Sequence, residues 1–431
     1  MQKINVLIFP AGGENAINIH DSLKYNLHFN LFGASSIRDY AEEIYNKENY
    51  IISNLYINSP SFIKDFNKII SDNNIEYVIP THDVIALYLM ENEKSINAKI
   101  VCSPYETAKI ANSKMSILKN IKDKFYCPNF YTNISDNITY PVFLKPDVGA
   151  GGKGALLVNN KEELSLNLNK RNDLVICEYL PGDELTIDCF TDRHGNLLFI
   201  GPRTRERITM GISFRSKTVP VSEEIRNIAD DLNNNFKFRG AWFFQLKKDI
   251  NDNYKLMEFS VRQAGTMALY RQLGINFALL SLFDAMDMDV NIIFNNYNLQ
   301  LNRRLSNSYK IDYEYDNIYI DFDDTLIVNN KVNSVAMSFL YQCLNKNKNI
   351  YLITKHSSDI YLDLKKYHID ASIFDKIYLL NEGEKKSDYI SKDKSIFIDN
   401  YYKERKEVFD KLNILVIDVD SIECLIDYSE V

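Results

Sequence analysis

Two oxygen-rich clusters and one glycine-rich loop hold the side chains of this chain that are best suited to chemistry. The first cluster is Asp321-Phe322-Asp323-Asp324-Thr325, at the end of the apolar run Ile318-Tyr319-Ile320. Carboxylates so close together repel, and a divalent cation such as Mg²⁺ is a means of keeping one of them ionised. The second is a pair of strand ends with oxygen-bearing side chains, Gln245 after Ala241-Trp242-Phe243-Phe244 and Glu258 within Tyr254-Lys255-Leu256-Met257-Glu258. The loop is Gly149-Ala150-Gly151-Gly152-Lys153-Gly154. Its backbone N–H groups can close over phosphates with no Cβ in the way.

The loop matches the G-x-G-x-x-G string, but its context is wrong for a dinucleotide-binding turn. That turn needs a strand before it and a helix after it, whereas residues 142–145 and 155–158 both read as strands and the helix starts only near Asn160. No G-K-[ST] triplet follows, so it is not a Walker A loop either. Farther along, alternation would send Arg203, Arg205 and Arg207 to one strand face, with Arg215 and Lys217 nearby. Either an anion meets these charges or they form a solvated edge balanced by Glu206 and Asp192. After the strand at 77–80, Asp83 of His82-Asp83 is expected to cap a helix. The turn Ala11-Gly12-Gly13-Glu14-Asn15 reads as a tight strand-to-helix connection, with an anion at the helix N-terminus as the sharper alternative.

The elements that must carry these groups alternate short β-branched runs with amphipathic stretches, the pattern of α/β domains. The 431 residues are enough for two to four domains with separate cores. Runs at 6–10, 77–80 and 100–102 suggest a small parallel sheet, and an antiparallel texture begins near Ser113. The polar stretch 302–308 reads as a linker before the next α/β domain. With 45% apolar residues and only 25 Gly and Pro together, most of the chain should fold. A formal charge of −8 gives the whole molecule no electrostatic footprint for nucleic acid. The six cysteines lack C-x-x-C or zinc-ligand spacing and read as reduced and mostly buried. There is no signal-like or membrane-spanning apolar run, so a cytoplasmic protein is expected.

Taken in order, Lys114 in Ala111-Asn112-Ser113-Lys114, Lys145 in Tyr140-Pro141-Val142-Phe143-Leu144-Lys145-Pro146, the glycine hairpin, Glu178-Tyr179-Leu180-Pro181-Gly182-Asp183-Glu184, Gln245 and Glu258-Phe259-Ser260-Val261-Arg262 resemble the ATP-grasp superfamily. The likeness is to its carbamoyl-phosphate synthase large-chain and carboxylate–amine ligase branch, and it covers roughly residues 1–305. The resemblance implies that Lys114 and Lys145 contact ATP phosphates and the adenine edge, and that Gly151, Gly152 and Arg203 also bind the nucleotide. It implies that Glu178, Tyr179 and Leu180 form the adenine hinge and that Glu184 holds the ribose. Gln245, Glu258 and Ser260 would hold Mg²⁺, with Mn²⁺ as a substitute, and Arg262 would meet the γ-phosphate. Ser260 stands where that superfamily usually has Asn, which weakens the case for a second tightly held metal.

The motif Asp321-x-Asp323-x-Thr325 resembles the haloacid dehalogenase (HAD) phosphatase superfamily. That likeness implies that Asp321 attacks phosphorus, that Asp323 protonates the leaving oxygen, and that Thr354, after Ile350-Tyr351-Leu352-Ile353, holds a phosphoryl oxygen. Lys386, or its neighbour Lys385, would neutralise charge, and Asp399, after Ser395-Ile396-Phe397-Ile398, would join Asp321 and Asp323 in holding Mg²⁺. Asn400 replaces a frequent second aspartate. About thirty residues separate Thr325 from Thr354, and about as many separate Thr354 from Lys386, leaving no room for a cap domain. A capless site is open, so its phosphorylated substrate is large or delivered from a partner site.

The expected fold is therefore multidomain α/β and α+β. A pre-ATP-grasp parallel sheet spans 1–105, an ATP-grasp domain 106–305, a linker 306–316 and a capless HAD-like Rossmannoid domain 317–431. The expected enzyme is bifunctional, joining a small-molecule carboxylate to an amine at the expense of ATP and hydrolysing a phosphate monoester. A kinase, or an ATP-sensing module that governs the phosphatase, are the alternatives. Nucleic acid and membrane are not expected partners, and a homo-oligomer is left open.

Overall fold

The computed structural model describes every residue except Met1, Gln2, Ser135, Asp136, Ala150, Met210, Leu305 and Val431. Ala150 of the glycine loop, and Met1, Leu305 and Val431 at ends of the expected domains, thus lie outside the described residues. The chain forms two compact units, Met1–Leu305 and Ser306–Val431. No helix among the described residues is long and apolar enough to cross a membrane, and all six cysteines are free thiols.

The first unit opens with a five-stranded parallel sheet ordered Tyr50–Ile52, Phe29–Ser35, Ile4–Phe9, Ile75–Pro80, Lys99–Ile100. Two of these strands, Phe29–Ser35 and Tyr50–Ile52, are not legible in the sequence. Gly33 and Asn30 interrupt the apolar run of the first, and the second is only three residues long. Val6 and Ile8 pack on one face with Ala16 and Ile19, whereas Leu7 and Phe9 pack on the other with Phe62 and Phe66. Helices on both faces explain why the central strand is apolar from Val6 to Phe9.

Two antiparallel four-stranded sheets follow. One is ordered Phe130–Tyr131, Leu174–Glu178, Val142–Pro146, Leu156–Val158, and the other Leu197–Thr204, Glu184–Thr191, Gly240–Lys248, Tyr254–Ser260. Val142–Pro146 and Leu156–Val158 form an antiparallel hairpin around the glycine loop, so the loop enters and leaves through strands. Gly151, Gly152 and Gly154 have φ of 72°, 67° and 76°, values that a Cβ would strain. The core of the second sheet is aromatic. Trp242 is fully buried, stacks on Phe238 at 3.7 Å between centroids, and donates its indole N–H to Thr191 Oγ1 at 2.8 Å.

The stretch read as a linker divides differently. Asn302 ends the strand Gln300–Asn302, which pairs with Ile212–Lys217, and the Arg303 N–H donates to the Phe214 carbonyl. Residues 306–316 belong to the second unit, where Tyr313 donates to the Ser395 carbonyl and Tyr309 to Glu423.

The second unit is a parallel five-stranded sheet ordered Lys376–Leu379, Asn349–Thr354, Asn317–Ile320, Ser395–Ile398, Leu415–Ile417. Ile318, Ile320, Ile350, Leu352, Ile396 and Ile398 fill one face, and Tyr319, Ile353 and Phe397 the other. Between Thr325 and Thr354 lie only a hairpin, Ile327–Val328 with Lys331–Val332, and the helix Ser334–Asn345. In both units the strand order is third, second, first, fourth, fifth. The loops after the first and fourth strands therefore flank the point where the winding reverses, the place where α/β sheets hold ligands.

Trp242 is the single tryptophan of the chain, so its emission reports on the first unit alone. In a urea titration it should shift red with that unit's unfolding, while far-ultraviolet circular dichroism follows both units. Trp242→Ala should cost the first unit about 3–5 kcal/mol, measured as a lower dichroism midpoint at an unchanged slope.

Candidate functional site

The first site lies between the two antiparallel sheets, in a cavity of about 470 Å³. Lys114 opens the helix Lys114–Asn120, whose N-cap Ser113 accepts from the Ser116 N–H. Asp147, just beyond the strand Val142–Pro146, ties this helix down by accepting from Ser113 Oγ at 2.9 Å and from the Met115 N–H at 2.7 Å. Lys114 Nζ thereby reaches the Gly149 carbonyl at 2.9 Å and lies 3.8 Å from Glu258. Lys145 Nζ donates to the Met257 carbonyl at 3.2 Å, which aims it across the cavity at the facing strand. Two lysines, the glycine loop and one carboxylate so converge on a single space.

The cavity brings together Lys114, Lys145, Gly151, Gly152, Glu178, Tyr179, Leu180, Glu184, Gln245 and Glu258. Register explains much of this. Gln245 stands opposite both Thr186 and Glu258 on adjacent strands, so the amide and the carboxylate emerge side by side. Glu178 accepts from the Asn129 N–H and side-chain amide at 3.0 and 2.9 Å, which fixes the strand end that Tyr179 and Leu180 continue. An oxygen pair of this kind, with cationic lysines beside it, fits Mg²⁺ carried on a polyphosphate.

Arg203 does not line this cavity. It is 1% exposed and donates to Asp188 from Nε at 2.7 Å and from Nη2 at 3.1 Å, within the sheet. Burial pushes the Asp188 carboxyl up, opposed by this guanidinium. The expected row of arginines does not form, because the strand Leu197–Thr204 ends before Arg205 and a new one, Glu206–Thr209, begins. Arg207 is exposed with φ 44°. Arg205 is the one that reaches the cavity, paired with Glu184 at 2.5 Å and donating to the Gly211 carbonyl at 2.7 Å. Arg215 and Lys217 pair with Glu206 at 3.1 and 3.3 Å. Carboxylates of the chain itself, with Asp188 and Glu184 in place of Asp192, balance Arg203, Arg205, Arg215 and Lys217.

Ser260 and Arg262 also lie apart from the cavity lining. The Ser260 hydroxyl donates to Asp83 Oδ1, and Arg262 meets Asp83 Oδ2 from Nε at 3.0 Å and from Nη2 at 2.9 Å. Burial would raise the Asp83 carboxyl, but Arg262 and that hydroxyl hold it below the usual range. Asp83 is thus no N-cap. His82 occupies that position and makes no side-chain cap bond, while Asp83 links the helix Asp83–Glu91 to the strand Tyr254–Ser260. The Gly12-Gly13 turn precedes the helix Glu14–Leu23, and Asp39 packs directly against Gly12.

In the second unit, Asp321 follows the first strand and Asp399 follows the fourth, with Lys386 between them, 2.7 Å from Asp321 and 2.6 Å from Asp399. All three are buried. Burial, together with Asp399, pushes the Asp321 carboxyl up to about 6 against the pull of Lys386. Thr354 Oγ1 is buried with no hydrogen-bond partner. Lys386, not Lys385, makes these contacts. Asn400 donates its N–H to Thr325 Oγ1 at 3.1 Å. Asp323 does not join Asp321 and Asp399 as the third member of a metal set. Its half-exposed carboxylate turns to His356 Nδ1, 2.8 Å away, a residue that the sequence reading passes over. Among the described residues no group of three or more His, Cys, Asp or Glu side chains is placed to hold a metal by itself.

Two family models match parts of the first unit. One, described as ATP-grasp in the biosynthetic pathway with Ter operon, matches residues 170–303. The other, the ATP-binding domain of the carbamoyl-phosphate synthase L chain, matches 108–201. The arginine-specific large chain of carbamoyl phosphate synthase from Bacillus subtilis (strain 168) is 27% identical over 146 residues, 31% of this chain but only 14% of that protein. Among solved structures, the biotin carboxylase domain of 2-oxoglutarate carboxylase from Hydrogenobacter thermophilus, a dimer in complex with MgADP, ADP and bicarbonate, has a TM-score of 0.56 at 16% identity. The match covers 70% of this chain and 74% of that one. L-amino acid ligase from Bacillus licheniformis has a TM-score of 0.51 at 16% identity, covering 66% and 74%. The first unit has the ATP-grasp fold.

Arg203→Met strands Asp188 in the sheet and should cost the first unit about 3–5 kcal/mol, whereas Asp188→Leu combined with Arg203→Met should recover most of that loss. Tryptophan-monitored urea denaturation of the wild type and the two variants checks it.

Proposed function

We propose that the first unit is an ATP-dependent ligase of the ADP-forming kind, joining a small-molecule carboxylate to an amine through an acyl phosphate. The observation that carries this reading is the convergence of Lys114, Lys145, Glu178, Glu184, Gln245 and Glu258 on one cavity. ATP would lie with its adenine against Tyr179 and Leu180, its ribose near Glu184 and its phosphates under the glycine loop. Lys114, Lys145 and Arg205 would draw negative charge toward the γ-phosphoryl group. Gln245 and Glu258 would hold Mg²⁺, which supplies charge neutralisation along the polyphosphate. A carboxylate oxygen attacks the γ-phosphorus, the bond to ADP breaks, and the amine then displaces phosphate from the acyl carbon with loss of a proton. Supporting it are the likenesses to a carbamoyl phosphate synthase large chain and to an L-amino acid ligase.

Glu258→Ala should lower Mg²⁺-ATP turnover by at least about a hundredfold, measured as ADP release over a panel of acids and amines. Added hydroxylamine should yield a hydroxamate from the acyl phosphate. A stable phosphorylated product that needs no amine would favour a kinase, and ATP binding without turnover a sensor.

A second reading rests on the buried Asp321, Lys386 and Asp399 cluster beside the unpartnered Thr354 hydroxyl. We infer that the second unit is a capless HAD-like phosphohydrolase acting on a phosphate monoester. Asp321 would attack phosphorus, Lys386 would neutralise charge, and the Thr354 hydroxyl would donate to a phosphoryl oxygen. Asp321 and Asp399 fit a hard divalent cation, and Mg²⁺ held there would offset the phosphate charge. Asp321→Asn should remove phosphate release from a monoester panel while leaving ADP release at the other site unchanged.

A further inference from the structure

His356 is built into the second unit in a way that the nucleophile cluster does not require. Its side chain is nearly buried, and both ring nitrogens are engaged. Nε2 lies 2.8 Å from Asp363 Oδ2 and 2.7 Å from Ser358 Oγ, and because a carboxylate only accepts, Nε2–H donates to Asp363. Nδ1 is thereby turned to Asp323, 2.8 Å from Oδ2 and 3.1 Å from Oδ1. The ring also stands edge-on to the buried Phe322, with centroids 5.1 Å apart at 77°. Three contacts thus fix the plane of an imidazole whose remaining edge faces one carboxylate.

Asp323 itself is 54% exposed, and His356 is the only side chain among the described residues bonded to its carboxylate. An exposed aspartate with no partner samples several rotamers. This one faces a cavity of about 300 Å³ lined also by Asn329, Asn330, Lys366 and Tyr367.

We propose that His356 is a positioning residue for Asp323, holding its carboxyl group toward the oxygen that leaves phosphorus. The proposal rests on the phosphohydrolase reading of this unit. In the step concerned, an Asp321 oxygen forms a bond to phosphorus and the bond from phosphorus to the ester oxygen breaks. The ester oxygen keeps the electron pair and takes the proton of the Asp323 carboxyl group. A leaving group that departs readily as an anion gains little from that proton, whereas an alkoxide needs it.

The test compares 4-nitrophenyl phosphate with ethyl phosphate as substrates of the full chain in Mg²⁺ buffer. His356→Ala should lower kcat for ethyl phosphate by about a hundredfold and for 4-nitrophenyl phosphate by less than about threefold. His356→Asn, whose amide N–H can stand where Nδ1 stands, should recover much of the ethyl phosphate rate, and His356→Gln should recover less. An equal loss on both esters in every variant would mean a structural role and overturn the proposal, as would no loss on either. Wild-type protein that cleaves neither ester, while circular dichroism shows it folded, would overturn the phosphohydrolase reading and this proposal with it. Turnover by the wild type with a uniform loss would overturn the proposal alone.

Discussion

The arrangement of the first unit depends on a charge pair that water does not reach. Arg203 and Asp188 are 1% and 0% exposed on neighbouring strands of the second antiparallel sheet. Removing two charges from water costs several kcal/mol per ion, and only close hydrogen-bonded geometry offsets that cost. A slip of one residue would point either side chain to the other face and leave its partner uncompensated. The pair therefore favours a single register. On the other edge of the strand that carries Asp188, a second ladder sets Thr186 against Gln245, and a third sets Gln245 against Glu258. The oxygen pair at the cavity is thus carried by the two strands beyond the one that holds Asp188.

Both units handle concentrated charge at strand ends, with different partners. In the first, Asp83 carries Arg262 and the Ser260 hydroxyl, so helix and sheet are joined through one carboxylate. In the second, Asp321 and Asp399 share Lys386 in a nearly dry setting. A buried lysine between two carboxylates leaves the cluster with excess negative charge, and burial, with Asp399 beside it, raises the Asp321 carboxyl. Such clusters are costly to fold around, which makes them informative about chemistry.

Much of the fold could be read from residue type and order. The glycine hairpin is legible because two strands flank it, and the Asp321 motif because an apolar run stops at it. The strand Phe29–Ser35 escapes notice because Asn30 and Gly33 break its apolar pattern, although burial of the rest on both faces makes it a strand. Arg203 and Arg205 show the limit more sharply. Alternation treats them as equivalent, yet one is sealed in the sheet against Asp188 and the other reaches the cavity through Glu184. Their partners lie 15 and 21 positions away on another strand, and only the pairing of those strands brings them together.

Local chemistry in the sequence determined which groups are present at the strand ends: the lysines, the glycines free of Cβ, the paired carboxylates. Those properties belong to single residues and their near neighbours, so they survive without knowledge of the fold. Tertiary structure alone decided which charge meets which. Asp83 turned from a helix cap into a link, Lys386 was chosen over Lys385, and His356 came to face Asp323 across 33 positions. A carboxylate's role is set by what lies within about 4 Å of it, and at that range the neighbours come from strand order and register rather than from the adjacent letters of the chain.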